Sequence, residues 1–244
     1  MASVDVVLLT KNSERKLKEC LESVYTNVPV AKLIAVDGCS KDKTLDILNW
    51  FNEKYHNVKI ILDEGNRATA RQKGIENVTT EWFLFVDSDV VLCDDWFKKA
   101  QQYISADVGA VWGTEIWSTL GSPAALKLFL LTTRKIFEGR GGTHDTLIRT
   151  ELVKDIEIPK KLHVYEDAYI KDWIERKGYR AVACYVPFCI HFRPPNVWTF
   201  RGSVGLMSDA FILGDIRVIS KLLAAYALYA GYAVYQVVMQ NSHH

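Results

Sequence analysis

The chain lacks most of the features that would assign its class at a glance. It has no charge surplus: 30 Lys+Arg against 29 Asp+Glu leave a net charge of +1. That balance argues against general nucleic-acid binding through a basic surface. Its five cysteines (20, 39, 93, 184 and 189) are odd in number, with no C-x-x-C pair and no zinc spacing. Neither a disulfide framework nor a zinc module is indicated, and reduced thiols in a cytosolic compartment are the simplest reading. No charged leader precedes an apolar stretch at the start, so a signal peptide is not expected. Internal repeats and low-complexity linkers are absent. What is abundant is core material: 49% of the chain is apolar, with 7 Trp, 11 Tyr and 10 Phe. Disorder is therefore excluded, and 244 residues suffice for one α/β domain with or without an appendage.

Short apolar runs at 4–9, 32–36, 58–62 and 82–86 alternate with helical patterns at 14–25, 44–51 and 68–77. This β-α-β-α-β-α-β rhythm predicts a mostly parallel sheet with helices on both faces. Ligands of such sheets sit at the carboxyl ends of strands, where segments 10–12, 37–40, 63–71 and 87–89 all fall. The second half is less regular. Helices are predicted over 94–105, 123–137 and 165–177, strands over 108–112, 180–185 and 188–192, and a flexible turn over 140–143. From 222 to 242 no residue is charged, and Tyr226, Tyr229, Tyr232 and Tyr235 recur every third position. That length approaches a bilayer span of about 20 residues, and Tyr favours membrane interfaces. A helix packed on its own domain and a membrane-contacting segment are both open readings. His243 and His244 read as a tag remnant.

The most informative stretch is Trp82-Phe83-Leu84-Phe85-Val86-Asp87-Ser88-Asp89. It reads as a buried strand delivering Asp87 and Asp89 to one side of a sheet edge. Two carboxylates held so close repel and raise each other's pKa, unless a cation lies between them. Oxygen ligands suit Mn²⁺ or Mg²⁺, which take substrate phosphates as further ligands. Asp37 ends the second strand and can accept a nucleobase N–H; Thr10, Asn12 and Glu14 follow the first strand and can line the same pocket. Arg67 and Arg71, at helical i,i+4 spacing, can grip a pyrophosphate. Glu166 and Asp167 open a helix, as dipole partners or with one of them as a general base. His191 is a metal-ligand candidate, or else a satisfied core histidine.

In family order, these segments resemble the motifs of family 2 glycosyltransferases with the GT-A fold. Residues 7–14 (VLLTKNSE) resemble the opening V-x-I-P-x-Y-N-E, with Thr10 in place of Pro and Ser13 intervening before the acid. Residues 36–44 (VDGCSKDKT) resemble V-D-D-G-S-x-D-x-T, with Gly38 and Cys39 where the second Asp and the Gly stand. Ala70-Arg71-Gln72-Lys73-Gly74 resembles A-R-N-x-G, Asp87-Ser88-Asp89 matches D-x-D, and Gly141-Gly142-Thr143 through Arg149 resembles the glycine-containing acceptor and donor-sugar loop. Glu166-Asp167 matches the E-D motif.

The resemblance implies a GT-A catalytic domain over 1–200, with a nucleotide-binding half (1–92) and an acceptor half (93–200), followed by interfacial or membrane-contacting helices over 201–242. It implies inverting transfer from a nucleoside diphosphate sugar. Donor contacts would come from Thr10, Asn12, Glu14, Asp37, Arg71, Asp87, Ser88 and Gly142, and Mn²⁺ or Mg²⁺ would be held by Asp87, Asp89 and His191. Asp167 would be the base, with Glu166 orienting it or the acceptor. By analogy with membrane-associated mannosyltransferases, the expected donor is GDP-mannose before a UDP-sugar. The expected acceptor is a lipid-linked glycan or polyprenyl phosphate, at the cytoplasmic face of the cell membrane. No Q-x-x-R-W motif is present, so single addition is expected. Rival readings are a haloacid dehalogenase-type phosphatase with Asp87 as nucleophile, a sugar-nucleotide pyrophosphorylase, and a non-catalytic nucleotide-sugar-binding subunit.

Overall fold

A computed structural model describes residues 3–118, 142–162, 165–192 and 209. The predicted helix at 123–137 and nearly all of 201–242 lie outside the described residues. Among the described residues, no helix is long and apolar enough to cross a membrane.

The first half follows the predicted rhythm. It runs β1 (Val4–Thr10), α1 (Leu17–Asn27), β2 (Val30–Asp37), α2 (Thr44–Tyr55), β3 (Val58–Leu62), α3 (Arg67–Asn77) and β4 (Trp82–Asp87). β1 and β4 are apolar because both their faces are covered. Val4, Val6 and Leu8 of β1 and Trp82, Leu84 and Val86 of β4 face one core, with α1, α2 and α4 (Trp96–Gln101). Val7, Phe83 and Phe85 face the other, with α3 and α5 (Glu166–Arg176). Helices thus lie on both faces, as expected.

The second half departs from the prediction. Strands β5 (Val90–Leu92), β6 (Val108–Trp117), β7 (Asp145–Arg149) and β8 (Arg180–His191) complete one eight-stranded sheet in the order β3-β2-β1-β4-β7-β6-β8-β5. The pairings β1–β2, β1–β4, β2–β3 and β6–β8 are parallel, but β4–β7, β6–β7 and β5–β8 are antiparallel. The sheet is mixed rather than mostly parallel, because β7 inserts antiparallel between β4 and β6. Residues 145–149, read from sequence as part of a loop, are this inner strand. The two strands predicted at 180–185 and 188–192 are one, β8, running through Pro187.

Register aligns the functional edge. Thr10 pairs with Asp37, Asp37 with Leu62, and Leu9 with Asp87. The carboxyl ends of β1, β2, β3 and β4 therefore stop level with one another. α3 lies close on this sheet because Gly74 has no side chain: a Cβ there would meet Val7 Cγ1 at 2.3 Å.

Gly74→Ala raises helix propensity by about 1 kcal/mol, yet overpacking costs about 1–3 kcal/mol. The expected outcome is a net loss of stability in denaturant unfolding. An unchanged or higher midpoint would mean that α3 does not need this close approach.

Candidate active site

The site is built at the end of β4. The strand stops at Asp87, and Ser88 and Asp89 form a turn before β5. Asp87 and Asp89 therefore do not share one strand face, as the sequence had suggested; their carboxylates diverge, each to its own cation. Asp87 Oδ1 accepts from Arg71 Nη2 at 2.6 Å. Asp89 Oδ1 lies 3.0 Å from His191 Nε2. The expected mutual rise in pKa is overturned for Asp87. Burial pushes it up, but the Arg71 charge and hydrogen bond and the His191 charge outweigh that and hold it well below the usual carboxylate range. Burial lowers His191, but hydrogen bonds to Asp89 and Glu115 raise it to about 9. The turn is clamped to β8 by Phe192 N–H donating to the Asp89 carbonyl at 2.8 Å and by the pairing of Val90 with His191.

Arg71 is 2% exposed. Its Nη2 donates both to Asp87 and to Thr143 Oγ1, each at 2.6 Å, and its guanidinium lies over the Phe85 ring at 4.7 Å. Nε and Nη1 have no hydrogen-bond partner among the described residues; Nε lies 4.0 Å from Glu166 Oε1. Glu166 is itself buried, and its Oε2 is likewise unpartnered. Burial and the neighbouring Asp167 charge push Glu166 up to about 7, against the pull of Arg71. A buried cation with spare donors is what a diphosphate needs. Arg67, by contrast, is exposed at the first position of α3.

Asp167 is partly exposed and accepts from Ala168 N–H at 2.7 Å. With Gly142, Thr143, Trp112 and Lys171 it lines a narrow cleft between β6, β7 and α5. Gly142 is buried there, where a Cβ would meet His144 Nε2 at 2.5 Å. A larger open groove, lined by Glu14, Arg15, Lys18, Lys43, Asp46 and Trp50, contains none of Asp87, Asp89, Arg71 and Asp167. The narrow cleft brings Asp167 together with Thr143, the Arg71 partner.

The remaining candidates brace loops. Asp37 is fully buried and accepts from Ser40 N–H at 2.8 Å, Ser40 Oγ at 2.7 Å and Thr10 Oγ1 at 2.7 Å. A carboxylate has about four acceptor positions, so little capacity is left for a base. Asn12 Oδ1 accepts from Lys41 N–H, and Glu14 Oε2 from Lys43 N–H. Both bind the β2–α2 loop to the β1–α1 loop. Ser88 Oγ shares a hydrogen bond with Ser13 Oγ at 2.8 Å.

Sequence reasoning placed Thr143, His144 and Asp145 in a loop motif without giving them individual roles, and it missed Glu115, buried with them behind the turn. A usable signal existed for Glu115, the single acidic residue in the otherwise apolar run of β6. At the turn the Asp89 carboxylate and the His191 imidazole sit side by side and offer an oxygen and a nitrogen to a divalent ion. The imidazole favours Mn²⁺ over Mg²⁺.

Glu166 gives a signed prediction. Its folded pKa of about 7 lies above the ordinary 4.5. Its contribution is therefore fully present below the unfolded pKa and is lost as pH rises toward 7. Glu166→Gln removes this dependence, so the stability difference, variant minus parent, should grow from pH 5 to pH 8 in thermal unfolding. A flat or shrinking difference would show that burial does not control this carboxylate.

Residues 5–124 match the profile Glycosyl transferase family 2. The poly(ribitol-phosphate) beta-glucosyltransferase of Bacillus spizizenii is 36% identical over 92 residues, 35% of this chain and 14% of that protein. The poly(ribitol-phosphate) beta-N-acetylglucosaminyltransferase TarS of Staphylococcus aureus is 28% identical over 183 residues, 68% of this chain and 31% of that protein. The chain thus spans well under half the length of these two relatives. The fold matches the mannosyltransferase PcManGT of Pyrobaculum calidifontis in complex with GDP-Man and Mn²⁺, with TM-score 0.70, 18% identity, and coverage of 96% of this chain and 80% of that one. It also matches S. aureus TarS 1-349 in complex with UDP, with TM-score 0.63, 23% identity, and coverage of 91% and 70%. Residues 5–124 thus match the glycosyl transferase family 2 profile, and the fold is of the GT-A type.

Proposed function

We propose that the chain is a metal-dependent inverting glycosyltransferase, moving one sugar from a nucleoside diphosphate donor to an acceptor hydroxyl by single displacement. The observation that carries this reading is the turn at β4. Asp89 and His191 stand 3.0 Å apart, beside a buried arginine with unpartnered donors. Mn²⁺, when bound by Asp89, His191 and Asp87, would neutralise charge on the diphosphate as a Lewis acid. Arg71, behind Asp87, adds positive charge to the site as the bond between the anomeric carbon and the diphosphate oxygen breaks. Asp167 takes the proton from the acceptor hydroxyl, whose oxygen attacks the anomeric carbon from the opposite face through an oxocarbenium-like transition state. Glu166, packed against Arg71, holds that arginine in place. Asp37 and Thr10 organise the loop over which the base lies.

Among donors, a UDP-hexose is favoured. The relatives that align in sequence are named as glucosyl- and N-acetylglucosaminyltransferases, and a TarS structure holds UDP. The GDP-mannose expected from sequence has the PcManGT complex on its side, at 18% identity. The acceptor class favoured by the same relatives is a polyol-phosphate or glycan hydroxyl. A phosphatase using Asp87 as nucleophile is disfavoured, because residues 5–124 match a different family.

Calorimetry with UDP- and GDP-sugars, with and without Mn²⁺, tests the reading. Metal-dependent binding of a UDP-sugar is expected, and Asp89→Asn should remove the metal dependence. Binding of neither nucleotide would sink the assignment. With a hydroxyl acceptor, Asp167→Asn should slow turnover by about 10²–10⁴-fold while leaving donor binding in place. A much smaller loss would point to an acceptor oxygen that is already ionised, as in a polyprenyl phosphate.

A further inference from the structure

Behind the β4 turn lies a buried polar chain that the proposed reaction does not consume. His191 is the last residue of β8, pairing with Val90 of β5 and Trp117 of β6. Its Nε2 faces Asp89, and its Nδ1 lies 2.7 Å from Glu115 Oε1. Glu115 is 2% exposed. The same oxygen accepts from Trp117 Nε1 at 2.9 Å. Its other oxygen lies 3.9 Å from His144 Nε2, and His144 Nδ1 is 2.5 Å from Asp145 Oδ1. Asp145 in turn accepts from Trp96 Nε1 at 2.8 Å and from Gly113 N–H at 3.2 Å.

Two explanations compete for this cluster. His144, Asp145 and Cys189 place ligand atoms within 4.8 Å of one another, as a second metal site would. Their atoms are already committed, however. His144 Nδ1 and Asp145 Oδ1 are at hydrogen-bond distance, closer than the roughly 3.3 Å that two ligands about 2 Å from one tetrahedral ion would show. Both Asp145 oxygens also hold β6 and α4. The cluster is better explained as a brace. A buried carboxylate is costly unless its oxygens are used, and Glu115 aims both of its oxygens at histidines. A carboxylate bonded to one imidazole nitrogen fixes the tautomer and leaves the other nitrogen for a metal.

We infer that Glu115 is a positioning residue for the metal site: bonded to His191 Nδ1 and held by Trp117 Nε1, it presents Nε2 as the ligating nitrogen. This inference rests on the metal reading given above for Asp89 and His191.

The test is Mn²⁺ binding to the full chain in the presence of UDP, followed by loss of the free-ion electron paramagnetic resonance signal. Glu115→Gln should weaken Mn²⁺ binding by about 10–100-fold, the usual cost of removing an outer-shell partner. If Glu115→Gln binds within twofold of the parent while His191→Ala has lost the ion, the inference falls and the glycosyltransferase reading stands. If His191→Ala and Asp89→Asn both bind as the parent does, the metal site falls, and the inference with it. A second measurement needs no folded Glu115 variant. In nitrogen NMR, with the His191 ring assigned by its loss in His191→Gln, adding Zn²⁺ as a diamagnetic probe should leave the proton on Nδ1 and shift Nε2. A metal-induced shift at Nδ1 instead would overturn the proposal.

Discussion

The structure turns on one buried cation. Arg71 leaves α3 and reaches Asp87 at the end of β4, Thr143 ahead of β7 and Glu166 at the start of α5. Four chain segments far apart in sequence meet on a single guanidinium. Taking such a group out of water is expensive, and it is tolerated only where partners compensate. Asp87 supplies the charge and Phe85 a ring face. Removing one partner from a buried pair of this kind typically costs about 3–5 kcal/mol. Any arrangement that shifts α3, β4 or α5 independently leaves Arg71 exposed to that penalty. Among the described residues its Nε and Nη1 have no hydrogen-bond partner.

The same constraint explains how two aspartates one residue apart coexist. Asp87 is paired with Arg71, and Asp89 lies against His191 Nε2, so each carboxylate has a partner of its own. The site is therefore assembled before ligand arrives. Preformed donors and acceptors of this sort stabilise developing charge without reorganising at the moment of reaction. Strand register sets the stage: β1, β2 and β4 end level, and the inserted antiparallel β7 brings Thr143 and His144 to the same rim.

Sequence carried the first half of this well. The β-α rhythm through Asp87 is local: apolar runs buried on both faces and amphipathic helices declare themselves by periodicity. Arg71, Asp87, Asp89 and His191 each stood out in the sequence, and the structure brings them to the end of β4. What sequence could not give was partnership. Whether Asp87 faces Asp89 or Arg71 depends on where β4 stops, a matter of one residue. β7 follows two glycines and is five residues long, so its place inside the sheet is set by pairing with β4 and β6 rather than by its own pattern. Asp37, Asn12 and Glu14 looked like ligand contacts because they sit on the right edge. The structure spends their side chains joining two loops to each other. Glu115 was overlooked because its meaning lies in the two histidines it faces, both distant in sequence.

Adjacent carboxylates at the start of α5 show how environment divides labour. Glu166 points inward, is buried against Arg71 and is pushed toward the neutral form. Asp167, one residue on and about 100° around the helix, lies in the cleft shared with Gly142, Thr143 and Lys171. Two neighbouring acids placed in different surroundings are the usual physical route to distinct acid and base roles. On the proposed reaction only Asp167 can meet an acceptor, because a hydroxyl cannot reach Glu166 without displacing the packing around Arg71. The acidic pair is then one base and one brace, and the brace acts through the arginine that adds positive charge to the site.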